Sequence, residues 1–297
     1  MEISKLLKFL TCPSCHKSDL TLTSNKKLTC PKCFQTYQII KGIPVLINKK
    51  ELDLQEKNQI IWFDKHYSKF KSKYHLENWR KSMLNRIFKL DLIKNINTYL
   101  DIGCGATGYT AIEAAKQKNW LSIGVDISIE AMIKAKYLAK IQGVENKTAF
   151  IVSSAQNLPF KKNTFDYISA ISLLEHLKED KKAVFQIKNI LKKNKYLYIC
   201  VPNSYLNMWP IVWPFYYYND LMIGHKRHYS INSLNNLLKP LNFELKINFY
   251  NGHLIKFLQL FLEKTGIIKN KLWWKIEKLD INNNSSGVQL NAIYQKK

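Results

Sequence analysis

The sequence predicts an α/β fold, a mostly parallel sheet covered by helices on both faces and preceded by a small cysteine-stapled module. Three observations predict it. A short apolar strand runs into a glycine-rich turn at Tyr99–Thr110, YLDIGCGATGYT. From there to Pro202 strand-like and helix-like segments alternate. Near the N-terminus stand two CxxC pairs.

The strand of the first observation ends in Asp101, Gly103, Gly105 and Gly108 form the turn, and a helix starts at about Thr110. Glycine has no Cβ, so backbone can turn sharply there and approach a ligand closely. A glycine turn between a parallel strand and a helix N-terminus is the nucleotide-binding device of doubly wound sheets. A bare structural turn has the same pattern, so the flanking residues must decide.

Those residues continue in βα order. Ala111–Lys118 is helical and Trp120–Val125 is a strand reaching Asp126. Ile129–Ile141 is a helix stopped at Gly143, and Thr148–Val152 and Phe165–Ile171 are strands. Glu179–Leu191 is an amphipathic helix, and Tyr196–Val201 is a strand ended by Pro202. Such alternation implies a parallel sheet with helices on both sides. Asp126 falls at the end of the second strand, where a carboxylate can accept hydrogen bonds from both hydroxyls of a ribose. Capping the following helix is the other use of an Asp at that point.

Composition bounds the rest. The 297 residues are 46% hydrophobic, enough for a large domain and a small one. The apolar run Asn207–Asn219 is broken by Pro210 and Pro214, too short and kinked to span a bilayer. MEISKLLKFL makes a poor signal peptide, so the expectation is a cytoplasmic protein without a transmembrane segment. The net charge is +24, yet only Arg80, Arg86 and Arg227 are arginine. Phosphate-gripping surfaces favour the arginine fork. A polyanionic partner and a lysine-biased composition therefore both account for the charge.

Cys12-Pro-Ser-Cys15 and Cys30-Pro-Lys-Cys33 flank a segment, LTLTSNKKLT, that alternates as a hairpin about Asn25. Two such knuckles close a tetrahedral four-thiolate zinc site. With no open position the zinc is structural, and a module this small needs the staple. A redox dithiol is the competing use of the pairs; Cys104 and Cys200 read as buried strand-end thiols. The CPxC pairs, followed by Tyr37-Gln-Ile and by Gly42-Ile-Pro-Val-Leu, resemble the zinc ribbons fused to, or partnering, methyltransferases.

YLDIGCGATGYT, then GVDIS, then VSSAQNLPFKKNTFDYISAISLLEHL resemble the successive motifs of Rossmann-like, class I S-adenosylmethionine-dependent methyltransferases, from about residue 98 to 201. The resemblance implies a Rossmann-like seven-stranded sheet whose last strand inserts antiparallel between the fifth and sixth. It implies that Asp101 and the backbone of Gly103, Cys104, Gly105 and Gly108 surround the amino-acid part of the cofactor. It places Asp126 on the ribose, Ile127 beside the adenine, Ser154 and Ala155 at the adenine edge, and Ile171 and Ser172 below the sulfonium. Two positions depart from the pattern. The family commonly has Asp where Ser154 stands, which shifts the adenine amino contact to backbone or weakens it. In ubiquinone-type O-methyltransferases a Glu-x-x-Glu-His run here binds a metal; the run Ser172-Leu-Leu-Glu175-His176 lacks the first carboxylate, so no catalytic metal is expected.

The organisation expected is a zinc ribbon at 1–48, a helical linker or lid at 49–97, and a methyltransferase domain at 98–297. Within 49–97, the aromatic stretch Trp62–Tyr67 either packs beside the sheet or folds over the nucleotide site, and Trp79, Met83, Ile87 and Leu90 recur at helical spacing. Substrate-binding insertions are expected at 203–229 and 251–286. A helix over Ser230–Pro240 and strands over Phe243–Tyr250 and Gly287–Gln295 complete the domain. The run Gly224-His-Lys-Arg-His-Tyr-Ser230 resembles the GHxRxYS segment of methyltransferases of glycan and lipid assembly. His225 is the candidate base or acceptor-orienting residue, Arg227 the clamp for a carboxylate or phosphate, and Tyr229 a hydrogen-bonding partner. A purely structural role, ordering the lid, is the alternative for this loop. The aromatic residues of 207–218 and Phe257–Trp274 read as core between lid helices, with an apolar substrate or a membrane surface as the alternative contact. The function expected is methyl transfer from S-adenosylmethionine to an O or N acceptor on a small-molecule, lipid or glycan intermediate. RNA methylation and a non-catalytic binding module are the alternatives.

Overall fold

The computed structural model describes residues 1–24, 27–48, 50–69, 74, 78–208, 210–252 and 287–297. A short helix α1 (Ile3–Leu7) leads into the cysteine module, whose strands β1 (Thr21–Leu22), β2 (Leu28–Thr29) and β3 (Thr36–Tyr37) form a small antiparallel sheet. A turn through Lys41 and Gly42 joins β4 (Ile39–Ile40) to β5 (Ile43–Pro44).

The module does not stand apart. Val45 bridges Val152 in parallel, and the Leu46 N–H donates to the Val152 carbonyl at 2.8 Å. It thereby covers part of an edge of the central sheet that would otherwise present unpaired backbone groups. Leu6, Leu10, Leu28 and Leu46 share one apolar core with Ile151, Leu158 and Phe160 of the following domain.

Two helices follow, α2 (Leu54–Ser68) and α3 (Asn78–Phe88). Helix α2 starts at a capping box: Asp53 accepts from the Glu56 N–H at 2.8 Å, and Glu56 accepts from the Asp53 N–H at 3.3 Å. Helix α3 buries Met83, Leu84, Ile87 and Phe88 against Tyr99, Trp120 and Tyr167.

The central sheet has seven strands: β6 (Thr98–Ile102), β7 (Leu121–Asp126), β8 (Thr148–Val152), β9 (Phe165–Ile171), β10 (Leu191–Pro202), β11 (Phe243–Asn251) and β12 (Gln289–Lys296). Their order is β11-β12-β10-β9-β6-β7-β8. Pairing from β8 through to β10 is parallel, while β12 runs antiparallel between β10 and β11. This is the Rossmann-like arrangement that the resemblance implies. Helices α4 (Tyr109–Lys118), α5 (Ile129–Ile141), α6 (Asp180–Ile190), α7 (Trp213–Ile223) and α8 (Ile231–Leu238) complete the fold. The sequence places the start of β10 at Tyr196. The strand instead begins at Leu191, paired with Phe165, and a register irregularity before Tyr196 absorbs the charged residues between.

Helix α7 corrects one expectation. Residues 207–218 are read from the sequence as core, yet Trp213, Tyr217 and Tyr218 are exposed, as are Leu221 and Met222 further along. Apolar side chains occur all around this helix, so it cannot bury every one against a single surface. The expected contacts of Phe257–Trp274, and nearly all of the 251–286 insertion, lie outside the described residues.

Candidate active site

Two cavities open at the C-terminal ends of β6, β7 and β9, with Tyr67, Gly103 and Ser172 in the walls of both. The first, of ≈ 190 Å³, is bounded by Gly103, Asp126, Ile127, Ser154, Ala155 and Ser172, with Glu56, Phe63 and Tyr67 of α2 opposite. The second, of ≈ 290 Å³, is bounded by Asp101, Gly103, Cys104, Gly105, Ile171 and Ser172. Every cofactor residue named from the sequence therefore lines one or both, except Gly108. Gly108 shapes the turn instead. It precedes α4 at φ +51°, and a Cβ there would come within 2.9 Å of the Phe150 ring.

Asp126 sits at the end of β7, held by two backbone donors. The Gly105 N–H reaches Oδ2 and the Ser128 N–H reaches Oδ1, both at 3.0 Å. Ser128, not Asp126, caps α5, its hydroxyl accepting from the Ala131 N–H at 3.1 Å. The Asp126 carboxylate is thus fixed in orientation against the cavity wall and is not the helix cap. Burial raises its pKa above the usual carboxylate range, and the backbone donors oppose that shift.

Asp101 is buried under the second cavity and accepts from the Ser169 hydroxyl at 2.6 Å. Burial pushes its pKa up to about 7, further aided by the nearby Asp126 charge, while hydrogen bonds from Ser169 and Thr110 act in the opposite direction. Ser172, at the end of β9 between the cavities, has left-handed backbone at φ 49°. For a residue with a Cβ this costs about 1–2 kcal/mol, and the Ser172 N–H bond to the Cys200 carbonyl at 2.8 Å helps hold it.

Four residues of α2 that the sequence does not single out as ligands, Glu56, Gln59, Phe63 and Tyr67, close the first cavity. Of the two readings of the aromatic stretch, this geometry favours a helix folded over the site. The Phe63 and Tyr67 rings stack with centroids 5.8 Å apart. The helix is pinned to α5, where Asp64 accepts from the Ser128 hydroxyl and, at 3.3 Å, from the Glu130 N–H. At the adenine-edge position, the Ser154 hydroxyl donates to Glu56, and the Gln156 side-chain amide donates to the same oxygen at 2.9 Å.

The GHxRxYS-like loop divides. Arg227 pairs with Asp180 at 2.8 Å and donates to the Lys178 carbonyl at 3.0 Å. The Tyr229 hydroxyl donates to the same Asp180 carboxylate at 2.8 Å. Both anchor the loop to the start of α6, and neither lines the two cavities or the outer cleft described below, which is the structural alternative for these residues. His225 lies against His176, with ring centroids 4.9 Å apart. Its Nδ1 faces Asp220 Oδ1 at 2.6 Å and its Nε2 faces Glu175 Oε1 at 3.8 Å. Burial lowers the pKa of His225 and takes His176 down to about 4, while it pushes Glu175 up to about 8.

The four N-terminal cysteines converge with all sulfurs within 4.8 Å of one another. Cys12 and Cys33 are 3.6 Å apart, as are Cys15 and Cys30. Sulfurs bound tetrahedrally about 2.3 Å from one zinc stand about 3.8 Å apart. The cluster has the geometry of a zinc ribbon.

A family model described as a methyltransferase domain matches residues 100–199. This stretch is a methyltransferase domain. The sheet built around it has the Rossmann-like strand order. Norajmaline N-methyltransferase of Rauvolfia serpentina is 39% identical over 94 residues, covering 32% of each chain. The matched stretch thus spans about a third of that curated relative. Solved structures share the fold of the methyltransferase domain over more of the chain. Geranyl diphosphate C-methyltransferase from Streptomyces coelicolor has a TM-score of 0.60 at 10% identity, covering 82% of this chain and 99% of its own. The cyclase SpnF has a TM-score of 0.55 at 17% identity, covering 77% and 85%. At such identities the likeness is one of fold. Among the described residues no helix is long and apolar enough to cross a membrane.

Proposed function

We propose that the chain transfers a methyl group from S-adenosylmethionine to an O or N acceptor on a small-molecule, lipid or glycan intermediate with a substantial apolar part. The observation that carries this is the sharing of walls. The nucleoside-sized cavity at Asp126 shares Gln59, Phe63 and His176 with an outer cleft of ≈ 620 Å³. That cleft is lined by Leu54, Trp62, Leu221, Met222 and Ile223, with Lys178 and Lys226 at its border. An apolar acceptor fits such walls, and the lysines suit an anionic group on it.

Methyl transfer from a sulfonium is an in-line displacement, so the protein must align donor and acceptor and provide for loss of one acceptor proton. Asp126 would accept from the ribose hydroxyls, Ile127 and Ala155 would flank the adenine, and the backbone from Gly103 to Gly105 would meet the amino-acid part. His176, at the wall common to cavity and cleft, with His225 behind it, would orient the acceptor. The four cysteines would hold a structural zinc, which closes the ribbon and supplies no chemistry.

Calorimetric titration with S-adenosylmethionine tests the donor: about one site per chain is expected, and folded protein that binds none would sink the reading. Transfer of labelled methyl into a fractionated cell extract tests the acceptor. Label is expected among small molecules or lipids, and label confined to RNA would overturn the apolar-acceptor assignment.

A further inference from the structure

We propose that Glu175, His176 and His225 form a binding site for a divalent transition-metal ion in the wall between the cofactor cavity and the outer cleft. The site is separate from the cysteine cluster and does not depend on methyl transfer taking place.

Glu175 is fully buried, and neither of its carboxylate oxygens has a hydrogen-bond partner among the described residues. A buried carboxyl left without partners is costly, so its position requires something to face it. What faces it is imidazole. The distance of 3.8 Å from His225 Nε2 to Glu175 Oε1 is too long for a hydrogen bond. It is a suitable distance for two donors of one ion, since ligand atoms about 2.1 Å from a metal can stand up to about 4.2 Å apart. One donor atom each from Glu175, His176 and His225 lie within 4.8 Å of one another.

The supporting contacts are those a metal ligand needs. A ligating histidine commonly donates its second ring nitrogen to a carboxylate or carbonyl, which fixes the tautomer and aims the first. His225 places Nδ1 on Asp220 Oδ1 at 2.6 Å, leaving Nε2 toward Glu175. Asp220 is itself held by the Tyr205 hydroxyl and by His228 Nε2 at 2.7 Å. The ring of His176 bonds the backbone of Gly224. The neighbouring trio Asp220, His225 and His228 is already joined by short hydrogen bonds, so it serves as support, not as a second ion site.

Glu175 and His225 come from loops far apart in sequence, joined where the Lys226 N–H donates to the Glu175 carbonyl at 2.9 Å. The run from Ser172 to His176 holds too few carboxylates to predict a metal on its own. The third donor comes from the later loop instead. Two imidazoles and one carboxylate suit zinc, iron, manganese, cobalt or nickel, and three protein ligands leave positions open to a substrate oxygen or nitrogen.

Titration of the zinc-loaded protein with Co²⁺, without S-adenosylmethionine, tests the site. Wild type should bind one further equivalent per chain. Glu175→Gln and His225→Gln should each weaken that binding at least tenfold, and Asp220→Asn should weaken it about 10- to 100-fold. Melting curves with and without Co²⁺ provide the control: the ion should raise the midpoint of wild type and not that of Glu175→Gln. Absence of the extra equivalent in wild type, or its undiminished binding by a cooperatively melting Glu175→Gln, would overturn the site. If that variant does not fold, undiminished binding by a cooperatively melting His225→Gln overturns the site in the same way.

Discussion

Glu56 of α2 and Ser154 beyond β8 meet in the wall of the cofactor cavity, the serine hydroxyl donating to the glutamate carboxylate. The carboxylate absent at position 154 is thereby supplied from a helix far earlier in the chain. The exocyclic amine of adenine is a hydrogen-bond donor, and a bond to a charged acceptor contributes about 1.5 kcal/mol or more. Glu56→Ala is expected to weaken S-adenosylmethionine binding about tenfold, with a lesser effect on melting from the lost half of the capping box. Calorimetry on the variant checks this. A cofactor analogue with oxygen in place of the adenine amine should bind wild type poorly and lose little more on the substitution.

Asp126 and Ser128 stand two positions apart and are distinct in role, so their substitutions should separate. Asp126→Ala removes the acceptor for the ribose and is expected to weaken cofactor binding tenfold or more, with the cap of α5 intact. Ser128→Ala removes that cap and the bond that pins Asp64 of α2, and should cost about 1 kcal/mol of stability or more. It leaves Asp126 and its backbone donors in place, so its effect on cofactor binding should be the smaller of the two. Binding and melting measured on both variants check the division. Equal cofactor affinity in Asp126→Ala would remove the ribose role.

The sheet was legible because its signals are local: alternating strand and helix patterns, a glycine turn, and prolines at strand ends. The residues that line the two cavities were legible for the same reason, most of them falling at or just beyond the end of a readable strand. Glu56 was not, because Asp53-x-x-Glu56 reads fully as a capping box and nothing in the sequence shows the second use of that carboxylate. The approach of His225 to Glu175 depends on two loops packing together, which no spacing in the chain records. Arg227 and Tyr229 have the residue types of a substrate clamp, but the fold pairs both with Asp180.

The cysteine module carries a prediction of its own, because Val45 and Leu46 at its end lie on the sheet edge at β8. Metal analysis should find one zinc in the four-cysteine site. Cys12→Ser or Cys30→Ser should release it, since the small β1–β3 sheet has little core to hold it closed. Loss of the ribbon would uncover β8, so these variants should melt earlier and aggregate more readily than wild type. Wild-type protein that is folded, cooperative and free of zinc would refute the role.

Asp101 gives a pH dependence with a definite sign. Its pKa in the folded protein is about 7, against an ordinary value of 3.8, with burial as the main cause. A group raised in this way contributes its full stability below about pH 4, where it is protonated in both states. Between about pH 4 and 7 the unfolded chain releases that proton first, so stability falls as pH rises, and above about 7 the effect levels off. Asp101→Asn cannot titrate. The difference in melting temperature between wild type and Asp101→Asn should therefore move against wild type across that window and be flat above it. A difference that stayed constant from pH 4 to 8 would show the carboxyl to be ionised throughout. Saturating S-adenosylmethionine brings positive charge to the cavity above Asp101 and should reduce the slope, because it favours the ionised carboxylate in the folded state.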